Sequence, residues 1–491
     1  MNSAVKKNLP SVLLTAVVIA AVVMINAIVF TLASTFGWYL YSQPVDDLSI
    51  SDSGERLFAE SVKLGKKVEV TFCMYEDELA AHPTGSFVLT TARAFAEKYP
   101  QLITLNFVNI ITKLDSSGNE YDVTKYQTDL QGNENRILKT SVIFECDDGN
   151  YRVLTDSHTA TGYADFYTLD SSSTITSYNG EEMFASMVHW VLTPEHGTAY
   201  VVVGHGETST LPMHNVLTSA GYYVKELDLK KGEIPDDASL LVISNPRNDF
   251  EQAAQGSDLS TEIERMRTYA ERGGHFLVTL DPVSRNLPVF EGFLGEFGIG
   301  FEKTESGDRQ TVKDPDNAIT TDGFTLVATY ADNDVAGAVR ANADGGIIIR
   351  SVAAVSTTGN ARPLLISSPS SECYADGRIT DSRGGYTVAA YSTVSHEDGE
   401  AKMIFIPSVY IAAADAIITN GYSNKDFLYS VFDEYFEAGE MPYGCNTVIT
   451  ATGLLENLTM GTIRIYTALI MAIPAVLAVV GAVVIVRRKN R

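Results

Sequence analysis

Two uncharged apolar runs, one near each end, constrain this chain more than any other feature. Leu13 to Leu32, LLTAVVIAAVVMINAIVFTL, carries no charge and one strongly polar residue, Asn26. Tyr466 to Val486, YTALIMAIPAVLAVVGAVVIV, is its counterpart. At about 1.5 Å rise per residue, helices of these lengths cross a hydrocarbon layer of roughly 30 Å. Pro474 is tolerable inside such a helix. Lys6 and Lys7 precede the first run, and Arg487, Arg488, Lys489 and Arg491 follow the second. The positive-inside rule puts both basic flanks in the cytoplasm and everything between the runs on the outer side. A signal peptide cut near Ala33 and Ser34 is the rival reading of the first run. The run is longer than the roughly 7–15 apolar residues of a signal core, which favours an uncleaved anchor.

Charge sharpens that division. All 61 Asp and Glu lie between Asp46 and Glu456, against 29 of the 36 Lys and Arg, so the middle carries a net −32. Such a field repels phosphate backbones and anionic membrane surfaces, which excludes nucleic acid as a partner. With 491 residues the chain is too long for one compact core. Its cysteines (Cys73, Cys146, Cys373, Cys445) are far apart and form no CxxC pair, so neither a zinc knuckle nor a disulfide framework is indicated. Three disulfide connectivities are open, and spacing does not choose among them.

The outer region reads as two α/β domains. Residues 35–60 are polar and are expected to be a linker after the 1–34 tip and span. Within 61–195, KKVEVTFCMY is a strand, SFVLTTARAFAEKYP a helix and LITLNFVNI a second strand. TSVIFECDDGNYRVLTD follows as a hairpin, and EEMFASMVHWVLTP as an amphipathic helix. That order suggests a thioredoxin-like outline without the redox CxxC, so no redox chemistry is assigned. Within 196–445, TAYVVV, YYVKELDL, SLLVIS and HFLVTLD are strands, alternating with helices. The helix from Asp258 to Arg272 has Thr261 and Glu264 as a capping box and Gly273–Gly274 at its C-terminal cap. Apolar strands without alternation argue for a parallel sheet covered on both faces. Residues near 303–346, rich in Asp, Asn and Gly, are expected to be an irregular insertion. GIIIRSVAAV, RPLLIS, GYTVAAYSTV and AKMIFIPS return as strands, and Asn424 to Glu437 is a final helix. A 446–465 linker, the 466–486 span and a basic 487–491 tail complete the chain.

The stretch VVVGHGETST, Val201 to Thr210, looks most like chemistry. No GxxxxGK[ST] run is present, so the chain is not itself an ATPase, and GxSxG and HExxH are absent. HGE matches half of a zinc-deaminase signature, but the PCxxC half is missing. GHGETS resembles a dinucleotide fingerprint with Asp228 at ribose distance, yet Ser209 replaces the third Gly and Pro212 disturbs the helix start. His196, His205 and His214 with Glu207 are spaced by nine residues along a strand and a turn, which strains joint metal ligation. No metal or cofactor is therefore expected. His205 and Glu207, then Asn245 and Arg247, then Asp281 all follow strands directly. In an open parallel sheet those ends face one crevice where ligands bind, so these five are the candidate ligand or partner residues. Gly204, Gly206, Gly273 and Gly274 are assigned to backbone geometry. The plainer account is that these residues only turn and cap strand ends. No catalytic residue is assigned.

The chain resembles the GldG-like auxiliary components of ABC transporters, named after gliding-motility proteins. The resemblance rests on VVVGHGE, SAGYYVKELDLKKGEIPDDASLLVISNPRNDF, RTYAERGGHFLVTLDP, RPLLISSP, the terminal VRRKNR and the early VDDLSISDSGERLF. It implies a flavodoxin- or glutamine-amidotransferase-like second domain. It also implies a non-catalytic extracytoplasmic subunit that works in trans with an ABC ATPase and a multispanning permease in an export system. Amidotransferases of that sheet type use a cysteine at a strand-to-helix elbow. No Cys follows any of the four strands here, so that activity is expected to be absent. The alternatives are an extracytoplasmic hydrolase acting through His205, Glu207 and Asp281, or a carbohydrate-binding module, which 24 Tyr permit.

Overall fold

The computed structural model describes residues 48, 50–132, 134–155, 162–170, 172–193, 196–207, 211–251, 261–282, 286–418 and 421–449. Both expected membrane spans lie outside the described residues, and no described helix is long and apolar enough to cross a membrane. The fold is a mixed α/β arrangement with parallel-sheet regions.

Helix α1 (Asp52–Lys63) comes first, with Ser51 accepting a hydrogen bond from the Gly54 N–H at 3.2 Å. The 35–60 linker expectation is corrected over 52–60, which belong to α1, while 35–47 and 49 lie outside the described residues. The segment is polar on one side only, and Leu57 and Phe58 are buried against the next elements. Then follow β1 (Val68–Phe72), α2 (Gly85–Lys98), β2 (Ile103–Asn109), β3 (Val142–Cys146) and β4 (Tyr151–Leu154). β1 pairs parallel with β2 and antiparallel with β3, and β3 pairs antiparallel with β4. A short hairpin, β5 (Tyr167–Leu169) and β6 (Ile175–Tyr178), leads into α3 (Gly180–Leu192). The sequence pattern suggests an amphipathic α3, but every residue except His189 is buried. Phe184 explains why on one side: it stacks on Phe95 at 5.2 Å and meets Phe144 edge-on at 5.4 Å, while Phe95 stacks on Phe58 at 4.1 Å.

The second sheet has nine strands. In chain order the elements are β7 (Thr198–Val203), α4 (Leu211–Ser219), β8 (Tyr223–Asp228), β9 (Ala238–Ser244), α5 (Glu262–Glu271) and β10 (His275–Thr279). Next come α6 (Pro288–Glu296), β11 (Thr325–Tyr330), α7 (Asp334–Asn342), β12 (Ile347–Arg350) and β13 (Arg362–Ile366). β14 (Thr387–Ser395), β15 (Glu400–Ile406) and α8 (Asn424–Ser430) complete the set. The spatial order is β12-β11-β13-β14-β15-β10-β9-β7-β8. From β15 to β8 all neighbours are parallel, whereas β14, β13, β11 and β12 add antiparallel strands, so the sheet is mixed and not wholly parallel. Leu240 and Val242 point into one apolar layer with Met213 and Leu217, and Leu241 and Ile243 into the other with Met266 and Phe290. Burial on both faces removes the polar alternation of an exposed sheet.

The irregular insertion expected near 303–346 is also corrected. β11 and α7 lie within it, with Leu326, Ala328, Ala336 and Val339 all buried in the main core. Its Asp and Asn residues make caps and turns: Asn333 accepts from the Ala336 N–H at 3.0 Å, and Asp314 from the Asn317 N–H at 2.9 Å. Among the described residues Cys73, Cys146, Cys373 and Cys445 are buried free thiols.

Two adjacent carboxylates at the start of α3 tie distant segments together. Glu181 accepts from the Ser51 N–H at 2.9 Å and hydroxyl at 2.6 Å, and from the Asn446 N–H at 2.9 Å. Glu182 accepts from the Lys425 ammonium and the Tyr429 hydroxyl. Burial acts to lower the Lys425 pKa, but the Glu182 charge outweighs it and raises it. Replacing Glu182 by Ala leaves a buried ammonium with the Thr447 hydroxyl but no carboxylate and is expected to cost about 3–5 kcal/mol, read as a lower urea midpoint followed by tryptophan fluorescence. The double variant Glu182→Leu with Lys425→Met should regain most of that loss. A single-variant cost below about 1 kcal/mol, the level of an exposed pair, would sink the clamp.

Candidate functional site

The five candidate residues come to one end of the parallel strands, where among the described residues His205 pairs with Glu207 and Asn245 with the Asp281 backbone, while the Arg247 side chain is exposed. After β7 the backbone turns through Gly204 (φ 111°) and Gly206 (φ 75°), a left-handed geometry that a side chain would strain. This turn drives the His205 ring inward, to zero exposure. Its Nδ1 is 3.0 Å from Glu207 Oε1, its Nε2 is 3.0 Å from Glu262 Oε1, and its ring stacks on Phe250 at 4.1 Å. Glu262 comes from the first turn of α5 and has no signal in the HGE stretch. The His205 carbonyl accepts from the Arg247 N–H at 2.9 Å, leaving the Arg247 side chain exposed. Asn245 (φ 52°) accepts from the Asp281 N–H at 3.0 Å and so joins the ends of β9 and β10.

Burial alone would lower the His205 pKa, but the Glu207 hydrogen bond and the nearby charges of Glu207 and Glu262 outweigh it, and the pKa is raised. Burial would raise Glu207, but the His205 hydrogen bond outweighs that and holds the carboxyl below its usual range. Asp228 lies beside Gly204, 3.1 Å from where a Cβ would stand, and pairs with Lys231 at 2.8 Å. Ser209 lies outside the described residues. The three spaced histidines diverge: His205 is internal, His196 stacks on Trp190 at 3.8 Å, and His214 lines a small cavity described below.

The large opening is at the other end of the sheet. A cleft of about 770 Å³ lies against the amino ends of β7, β8, β9 and β10, where Gly197, Tyr222, Ala238 and His275 line it. Trp190 and His189 of α3 form another wall, and Phe436 to Glu440 a third. Gly273 and Gly274 belong to this end. Gly273 (φ 86°) passes close to the Gly399 backbone, and a Cβ on Gly274 would overlap the Tyr269 ring at 2.4 Å. Burial, aided by the Arg152 charge, holds His196 at about 4, and burial with the Lys402 charge does the same for His275. Burial lowers His189 as well. All three imidazoles are therefore neutral at pH 7 and offer hydrogen bonds, not charge. The lining contains no thiol, and Cys73 and Cys373 elsewhere are pushed up to about 12 by burial. Among the described residues no group of three His, Cys, Asp or Glu is arranged to hold a metal.

Sequence reasoning missed this cleft because its residues precede strands, where a parallel sheet gives no ligand rule. His196–Gly197 and Gly274–His275, each just ahead of an apolar strand, are the only signal.

No family model and no curated protein matches the chain. Solved structures similar to it include the mmIFT52 N-terminal domain, at 18% identity over 50% of this chain and 99% of that one, with a TM-score of 0.38. A glutamine amidotransferase from Thermotoga maritima (12% identity, 50% and 88% covered, TM-score 0.26) is among them. So is one from Methylobacillus flagellatus (9%, 50% and 97%, 0.28).

The pH dependence follows from the two signs at His205 and Glu207. The raised His205 pKa contributes stability that is complete below about pH 6.5, the unfolded value, and is lost as pH rises through the folded value. The lowered Glu207 pKa contributes above its unfolded value and is lost as pH falls through the folded one. Thermal unfolding should therefore show stability declining above about pH 6.5. His205→Gln should flatten that decline; an unchanged slope assigns it elsewhere.

Proposed function

We propose that this chain is a non-catalytic, membrane-anchored extracytoplasmic accessory subunit of an ABC-type export system. In this reading it holds cargo or a neighbouring subunit in the cleft at the amino ends of the parallel strands. One observation carries the binding role: a cleft of about 770 Å³ is lined by aromatic rings and imidazoles together with Asp236, Arg272, Glu437 and Glu440, and holds no thiol. That size lies in the range of ligand pockets, roughly 300–1,000 Å³. The membrane anchors, the GldG-like membership and the ATPase and permease partners rest on the sequence alone. The thioredoxin-like naming of the first sheet rests on its order of a parallel pair followed by an antiparallel hairpin. The amidotransferase-like naming of the second rests on the strand and loop motifs.

The hydrolase alternative asks His205 to act on a substrate. Both ring nitrogens already face carboxylates and the ring has no exposed surface, which weighs against it.

Affinity purification of the full chain from gently solubilised membranes should recover an ABC ATPase and a permease. Consistent absence of both would remove the transport reading. Ser239→Trp, at an exposed position lining the cleft, should cut recovery about tenfold, equivalent to about 1.4 kcal/mol. Undiminished recovery would move the contact surface away from the cleft.

A further inference from the structure

A second, smaller cavity of about 140 Å³ lies at the seam between the two sheets. One wall is Arg152 of β4, a second is His214 and Thr218, one turn apart on α4, and a third is Tyr223 of β8. Asp129 and Asn135, from the chain between β2 and β3, line it as well.

Arg152 is the anomaly. Its guanidinium carbon sits 4.8 Å from the Trp190 ring centre and 5.4 Å from that of Tyr223. Nη2 donates to the Tyr222 carbonyl at 2.9 Å. Nη1 is buried and meets no acceptor among the described residues, and Arg152 is in none of the ion pairs there. A guanidinium does not shed its charge in proteins, and a buried unpaired charge is costly. The anomaly is sharper in a chain of net charge −25, where carboxylates outnumber cations. Thr218 supplies a second orphan on the facing wall: its buried hydroxyl has no partner among the described residues. Asp165 and then Asp129 act on the Arg152 charge at a distance, and Asp129 accepts from the Gln131 N–H at 2.9 Å.

We propose that this cavity binds one small oxyanion, a carboxylate or phosphate group, through the Arg152 guanidinium with the Thr218 hydroxyl opposite. The volume equals about four or five waters at roughly 30 Å³ each, enough for an anion of a few heavy atoms. Asp129 in the lining repels a double charge more than a single one, so a carboxylate is the better fit. The site shares no lining residue with the large cleft, one wall of which is formed by Trp190, whose ring centre lies 4.8 Å from the Arg152 guanidinium carbon, and by His196 stacked on Trp190.

That wall supplies an independent readout. His196 faces Arg152, Trp190, Tyr223 and His189, and the Arg152 charge helps to hold its pKa at about 4. Neutralising Arg152 must raise it. The full-length chain is titrated with trifluoroacetate, a carboxylate that stays ionised at the His196 pKa of about 4, and separately with inorganic phosphate, while chloride keeps ionic strength constant. The His196 pKa, followed by NMR of labelled histidine, should rise saturably, and thermal stability should rise with it. Tighter trifluoroacetate identifies a carboxylate site and tighter phosphate a phosphate site; either supports the proposal. Arg152→Lys should weaken binding at least about tenfold, since an ammonium lacks the planar fork. Arg152→Met should abolish the anion response and leave the His196 pKa raised throughout. If the variants do not fold, the wild-type titration still decides. No anion-specific rise in the His196 pKa with either probe overturns the proposal.

Discussion

The structure depends on one helix that has no exposed side. Helix α3 presents Phe184 to the first sheet and two carboxylates to chain segments far away in sequence. Glu181 holds Ser51 and Asn446, and Glu182 holds Lys425 and Tyr429. Carboxylates this deeply buried need every lone pair engaged, so their partners are drawn to definite positions. The start of α1, the whole of α8 and the strand Val448–Ile449 are placed by that requirement. Two sheets that have separate cores thereby form one compact unit.

This anchoring also decides where open space lies. At the carboxyl ends of the parallel strands, Glu207, His205 and Glu262 close on each other over Phe250, so the residues most suggestive of chemistry are used up internally. At the amino ends the first sheet stands off from the second, and α3 forms a wall facing the strand starts. The cleft is a gap between layers, not a feature of any loop. The same seam produces the Arg152 cavity, because β4 and α4 meet there across a wall of rings.

Much of the fold was legible. Three of the four parallel strands from Thr198 to Thr279 appear as short apolar runs, the edge strand β8 carrying Lys225, Glu226 and Asp228, and the Thr261–Glu264 capping box is present with both hydrogen bonds. Burial on both faces explains why those runs lack alternation. The failures share another cause. α1 looks like a linker because Leu57 and Phe58 acquire meaning only when Phe95 and Phe184 arrive from elsewhere. β11 and α7 were hidden among Asp, Asn and Gly residues that serve as caps and turns around them. The antiparallel half of the second sheet could not be told from its parallel half, since direction is set by the route of the chain between strands.

The sequence by itself determined the local elements, the acidic character of the middle region, and the left-handed turn at Gly204 and Gly206. These depend on a residue and its near neighbours. Only tertiary structure decided that His205 is sealed between two glutamates and that the candidate binding space lies at the amino ends. It likewise decided that Arg152 is in no ion pair among the described residues. Each of these is a distance between residues tens to hundreds of positions apart, set by how two sheets dock around one buried helix. Local pattern carries no information about such distances.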